Sequence, residues 1–107
     1  MKDLMGLMKQ AQAMQQKMAE AQEKLSEQEV TGEAGAGLVK VTLTAKGDAR
    51  GVQIDKSLLD PEEPEIVEDL IVAAHADARR KAEALQQEII KDAAGGLDLP
   101  PGMQMPF

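Results

Sequence analysis

Seven apolar residues near the start of the chain are spaced alternately by three and four: Leu4, Leu7, Ala11, Met14, Met18, Ala21 and Leu25. That is the a/d seam of a heptad repeat, which lines up along one narrow stripe of an α-helix. A stripe this narrow suits another helix better than a broad globular core. The surrounding residues are mostly Ala, Gln, Glu, Lys and Met, all strong helix formers, with Gly6 the one weak position. The pattern predicts a helix over about residues 2–28.

The period then changes from helical to alternating. Glu29-Val30-Thr31-Gly32 reads as a short strand. In Leu38 to Thr44, Val39, Val41 and Leu43 share one face while Lys40, Thr42 and Thr44 share the other. Gly51-Val52-Gln53-Ile54-Asp55 makes a third. Gly35-Ala36-Gly37 and Lys46-Gly47-Asp48 supply the turn residues between them. Strands are expected at about 29–33, 38–45 and 50–55, joined by hairpins into an antiparallel three-stranded meander.

A second helix is announced by Asp60-Pro61-Glu62-Glu63, with a capping residue, Pro at the first helical position and acids in the first turn. Ser57 is a candidate cap for a short turn before it. Ile66, Val67, Leu70, Ile71, Ala74, Ala78, Leu85 and Ile89 trace its apolar stripe, and Gly95-Gly96 stops it. The expected span is about 63–93, followed by an irregular tail over 94–107. The fold class is therefore α+β, in the order α-β-β-β-α, within a single domain covering residues 1–107. Helices of this length reach roughly 40 Å, against roughly 10–15 Å across three strands. They must overhang the sheet, and an overhanging apolar seam predicts a homodimer.

Composition narrows the chemistry. The 107 residues include one Phe, no Trp, no Tyr and no Cys. Without rings there is no platform for stacking unpaired bases, and without thiols no disulfide, thiolate metal site or cysteine nucleophile. No leader and no apolar run long enough to span a bilayer is apparent, so a cytosolic protein with no membrane partner is expected. His75 is the single histidine and lacks an evident catalytic partner. Gly32-Glu33-Ala34-Gly35-Ala36-Gly37 lacks the Gly-Lys-Ser/Thr ending of a phosphate loop and leads into a strand, so it is read as a hairpin connection. No catalytic residue, cofactor or metal site is predicted.

Net charge is -7, yet six of the acids, Asp60, Glu62, Glu63, Glu65, Glu68 and Asp69, fall in ten residues without a base. Charges act over about a Debye length, so the total does not decide the partner. Lys2, Lys9, Lys17 and Lys24 recur at intervals of seven, eight and seven, within an arc of about 80° on the first helix and away from its seam. Such a row contacts phosphates along a duplex without reading bases; the plain alternative is a solvated helix face. On the second helix Arg79 and Arg80 flank the outer surface, and Lys91 shares the direction of Arg80.

Several blocks carry a resemblance: Met1-Lys2-Asp3-Leu4, Leu7 to Gln12, Glu29 to Val41, Ile54 to Leu59, Glu68 to Ala82, and the ending Leu99-Pro100-Pro101-Gly102-Met103-Gln104-Met105-Pro106-Phe107. In order and over the whole chain, they resemble the YbaB/EbfC nucleoid-associated protein family. The resemblance implies a bacterial cytosolic protein of the nucleoid with the α-β-β-β-α fold. It also implies a tweezer-like homodimer whose projecting arms bind duplex DNA, with no catalysis or cofactor. The DNA-binding residues it implies are those of the two helices: Lys2, Lys9, Lys17, Lys24, Arg79, Arg80 and Lys91. The alternative is an adaptor that recruits a DNA-repair or replication protein through its seams and acidic block, with incidental DNA affinity.

Overall fold

The computed structural model describes residues 2–94. The elements follow the expected order: α1 (Lys2–Glu27), β1 (Glu29–Ala34), β2 (Val39–Thr44), β3 (Ala49–Ile54), a single 3-10 turn (Lys56–Leu58) and α2 (Pro64–Ala94). The strands form one antiparallel sheet in the order β1-β2-β3. The expected tail lies outside the described residues except for Ala94, which completes α2.

Local chemistry corrects two helix starts. Asp55, not Ser57, caps the 3-10 turn: its carboxylate accepts the Ser57 N–H at 2.9 Å. Ser57 supplies the amide rather than the cap. Asp60 likewise closes a turn, accepting the Glu62 N–H at 3.0 Å, and α2 starts later, with Pro64 as its first residue. Proline's fixed φ and missing N–H suit that position, where the amide has no helical acceptor.

The core sits between α2 and one face of the sheet. Val39, Val41 and Leu43 of β2 are buried against Ala74 and Ala78, with Val30, Ala34, Leu70 and Ile71 packed around them. Ala74, Ala78 and Ala82 are spaced by four, so they form one smooth stripe on α2. Opposite this stripe is Gly32 of β1. A methyl group there would lie 2.7 Å from the Ala78 Cα and closer still to the Ala78 N and the Ala74 O. Small residues thus let helix and strand backbones touch. This is how the domain closes without aromatic side chains, since a ring at this layer would push the helix off the sheet.

A second, smaller core joins the two helices. Ala21 and Leu25 of α1 pack on Ile89 and Ile90 of α2 and on Ala45 in the β2–β3 turn. Gln86 closes that layer by donating to the Ala45 carbonyl at 2.6 Å. The helices run antiparallel here, so the first half of α1 continues beyond the end of α2. The described molecule is accordingly a rod of 74 × 24 × 16 Å.

The candidate nucleic-acid interface

The overhanging half of α1 is an arm. Residues 3–17 extend for about 22 Å at 1.5 Å per residue, and apart from half-buried Met14 all are exposed. Leu4 and Leu7, the first two seam positions, are 64% and 60% exposed, whereas Ala21 and Leu25 at the other end are buried. The heptad pattern therefore divides by location. Its last turns make the joint with α2, and its first turns meet no other element among the described residues.

The basic residues are distributed along this arm and its root. Lys9 stands on the overhang and is exposed. Lys17 and Lys24 flank the joint, where a shallow groove between the helices brings them beside Glu20 and, from α2, Asp92. Sequence spacing separates Lys17 from Asp92 by most of the chain, so this neighbourhood appears only on folding. Lys9, Lys17, Lys24 and Lys91 are all exposed, and none makes an ion pair within 4.0 Å among the described residues. The side chain of Lys2, which opens α1, lies outside the described residues.

Arg79 and Arg80 differ from those lysines. Each is exposed but already faces an acid one turn away on α2: Arg79 with Glu83 at 3.2 Å, and Arg80 with Asp77 at 3.5 Å. Exposed pairs of this kind are weak, about 0.3–0.5 kcal/mol. They still reduce the field that the two guanidinium groups present to a phosphate. Lys81 is turned inward to the sheet, donating to the Thr31 carbonyl at 2.9 Å and pairing with Asp77 at 3.2 Å.

Asp77 is the residue that sequence inspection passed over. It accepts the Glu33 N–H of β1 at 3.0 Å and meets Lys81 and Arg80 on its other side. The Glu33 amide, then Lys81, hold its carboxyl below the usual carboxylate range. Its only sequence signal is its i,i+4 spacing from Lys81, and that spacing says nothing of β1.

The acidic block lies at the far end of the rod. Leu70 packs over Gly35 at the β1–β2 turn, while Asp92 reaches the arm's root. Asp69, the last of the six acids, is about 34 Å from Asp92 along α2 at 1.5 Å per residue. That is several Debye lengths. The acids that dominate the net charge thus exert little field at the arm. No helix of the described residues is long and apolar enough to cross a membrane. Among the same residues, no group of three or more His, Asp or Glu side chains could hold a metal ion.

Comparison with known proteins agrees with this architecture. A nucleoid-associated protein of Maricaulis maris is 78% identical over 107 residues, covering all of both chains. One of Granulibacter bethesdensis is 56% identical over the same length, again with full coverage of both. The crystal structure of an uncharacterized protein from Helicobacter pylori superposes with a TM-score of 0.67 at 25% identity, covering 86% of this chain and 94% of that one. The family model for the YbaB/EbfC DNA-binding family matches residues 1–97, which takes in the arm, the sheet and the whole of α2. On its sequence, its element order and its relatives together, the chain belongs to the YbaB/EbfC DNA-binding family.

Proposed function

We propose that the protein is a non-catalytic, nucleoid-associated dimer that grips duplex DNA between two α1 arms by contacting phosphates. The observation that carries this reading is the arm itself. It is a solvent-exposed helix overhanging the fold, bearing Lys9 in the open and Lys17 and Lys24 at its root, with the acidic block at the opposite end. Exposed Lys91 on α2 is a further candidate contact, and Lys2 is retained as one on its place in the sequence alone. Arg79 and Arg80 contribute less, because each already faces a carboxylate. Contacts of this type neutralise backbone charge and leave base edges unread, so binding is tolerant of sequence.

Counterion release sets the expected strength. If four to six phosphates are contacted, log affinity falls against log salt with a slope of about -4 to -5. The test is an electrophoretic mobility shift titrated over salt, with duplex and single-stranded probes. Lys9→Glu combined with Lys17→Glu is expected to abolish duplex binding while the dimer stays folded. Binding that survives the double substitution unchanged would move the interface off the arm.

A further inference from the structure

The seam at the free end of α1 has no partner among the described residues. Leu4, Met5, Leu7 and Met8 are 64%, 67%, 60% and 59% exposed, and Ala11 is exposed beside them. At 100° per residue, Leu4, Leu7, Met8 and Ala11 share an arc of about 100°. Lys9 stands about 150° around the helix from the centre of that arc. Whatever covers the seam therefore leaves the basic row free. A stripe of large apolar side chains held in water marks a surface that binds something.

The end of α2 is aimed at that seam. Ile89 and Ile90 pack on Ala21 and Leu25, and Ala93 lines the groove beside Lys17, so α2 advances toward the N-terminal end of α1 as it finishes. From Lys17 to Leu4 the arm is about 20 Å long at 1.5 Å per residue. The residues that follow Ala94, from Gly95 to Phe107, span up to about 43 Å when extended at about 3.3 Å each. Reach and direction both suit the seam.

The sequence of that segment matches the surface. Leu97, Leu99, Met103, Met105 and Phe107 all fall at odd positions, with Asp98 and Gln104 between them. An extended chain of this pattern carries its large apolar groups on one side. Composition joins the same two parts of the molecule. All seven methionines lie at positions 1–18 or 103–105, and the one aromatic side chain is Phe107. Unbranched thioethers fit irregular apolar surfaces and pack well on an aromatic edge.

We infer that residues 97–107 run on along the free half of α1 of their own chain and cover its seam from Met14 to Leu4. Leu99 comes level with Leu7, since five extended residues beyond Ala94 reach about 16 Å and ten helical residues from Lys17 cover about 15 Å. A tethered segment meets its site at an effective concentration of order millimolar, so it outcompetes a second copy present at micromolar concentration. The cover also stiffens the arm. An isolated helix of about fifteen residues is marginal in water, and the docked segment keeps residues 4–14 helical while Lys9 stays on the open side.

The chain has no cysteine, so a pair can be introduced and its oxidation followed without background. Leu7→Cys with Leu99→Cys is expected to form a disulfide within one chain, roughly tenfold faster than Lys9→Cys with Leu99→Cys, whose side chains lie on opposite sides of the arm. Equal rates would overturn the placement, and disulfides formed only between chains would give the seam to a second copy instead. A second measurement is independent of register. Amide exchange of the full chain is compared with a variant carrying Leu97→Ser, Leu99→Ser, Met103→Ser, Met105→Ser and Phe107→Ser. Residues 4–14 should exchange roughly tenfold faster in the variant, with the amides of β2 unchanged. Arm amides that exchange alike in both proteins would sink the inference. Neither readout involves DNA, so the seam is tested separately from the phosphate-binding face.

Discussion

Replacing Gly32 with alanine adds one methyl group at the point where strand and helix backbones meet. The new carbon would lie 2.7 Å from the Ala78 Cα and nearer still to Ala78 N and Ala74 O. Ordinary contact begins at 3.4 Å, so α2 must retreat by about 1 Å. The obstructing atoms are backbone, and no rotamer change can clear them. Retreat also loosens the layer of Val39, Val41, Leu43, Ala74 and Ala78, because a gap of about 1 Å forfeits up to about half of each dispersion contact. Overpacking of a rigid core typically costs about 1–3 kcal/mol, and this site belongs at or above the top of that range. For a chain of this size, 3 kcal/mol is a fall in Tm of roughly 12–24 °C. The assay is urea and thermal unfolding followed by circular dichroism at one fixed protein concentration, since any self-association would couple to stability. Gly51→Ala is the control, being a strand glycine with nothing within 4 Å of the added carbon and no positive φ. If Gly32→Ala lay within about 0.5 kcal/mol of Gly51→Ala, the close-approach argument would be wrong.

The remaining predictions concern the arm and Asp77. Gly6→Ala, with open space around it, is expected to favour helix by about 0.8–1 kcal/mol. Because the arm has no tertiary contacts among the described residues, this should slow amide exchange near residues 3–10 and leave the global urea midpoint unchanged. Lys9→Ala is expected to flatten the salt dependence of DNA binding by about 1.8 in a dimer with two arms, as read by mobility shift. Arg79→Ala should change it less, since Glu83 already pairs with that side chain and offsets part of its charge. Asp77→Asn removes a carboxylate whose pKa folding depresses, through the Glu33 amide first and then Lys81. A depressed pKa means the stabilisation is fully present above the ordinary carboxylate range and is lost as pH falls through the folded value. Urea midpoints of the two proteins should therefore differ at neutral pH and converge in strong acid; a gap that widened on acidification would contradict the assignment.

The elements were legible because each rests on short-range pattern. Alternation of Val39, Val41 and Leu43 with Lys40, Thr42 and Thr44 requires a strand with one buried face, and β2 buries that face. The seam of α1 and the stripe of α2 required two long helices. Their ends were less legible, because caps compete locally: Asp55 and Asp60 each closed a turn of their own before α2 began at Pro64. The basic row on α1 was visible as a spacing. That Lys17 and Lys24 share a groove with Asp92, or that Arg79 and Arg80 are paired, depended on which helix faces meet.

The chain by itself determined the order α-β-β-β-α, the overhang of the helices and the want of aromatic side chains, since periodicity, length and composition are local or additive properties. The tertiary structure decided why rings are dispensable, bringing Gly32 against Ala74 and Ala78 so that backbones pack directly. It decided that the six-acid block stands at the end of the rod away from the arm, a matter of distance that no count of charges contains. It also tied β1 to α2 through Asp77 and Lys81. Hydrogen-bond satisfaction of that kind depends on residues more than forty positions apart, and only the packed chain brings them together.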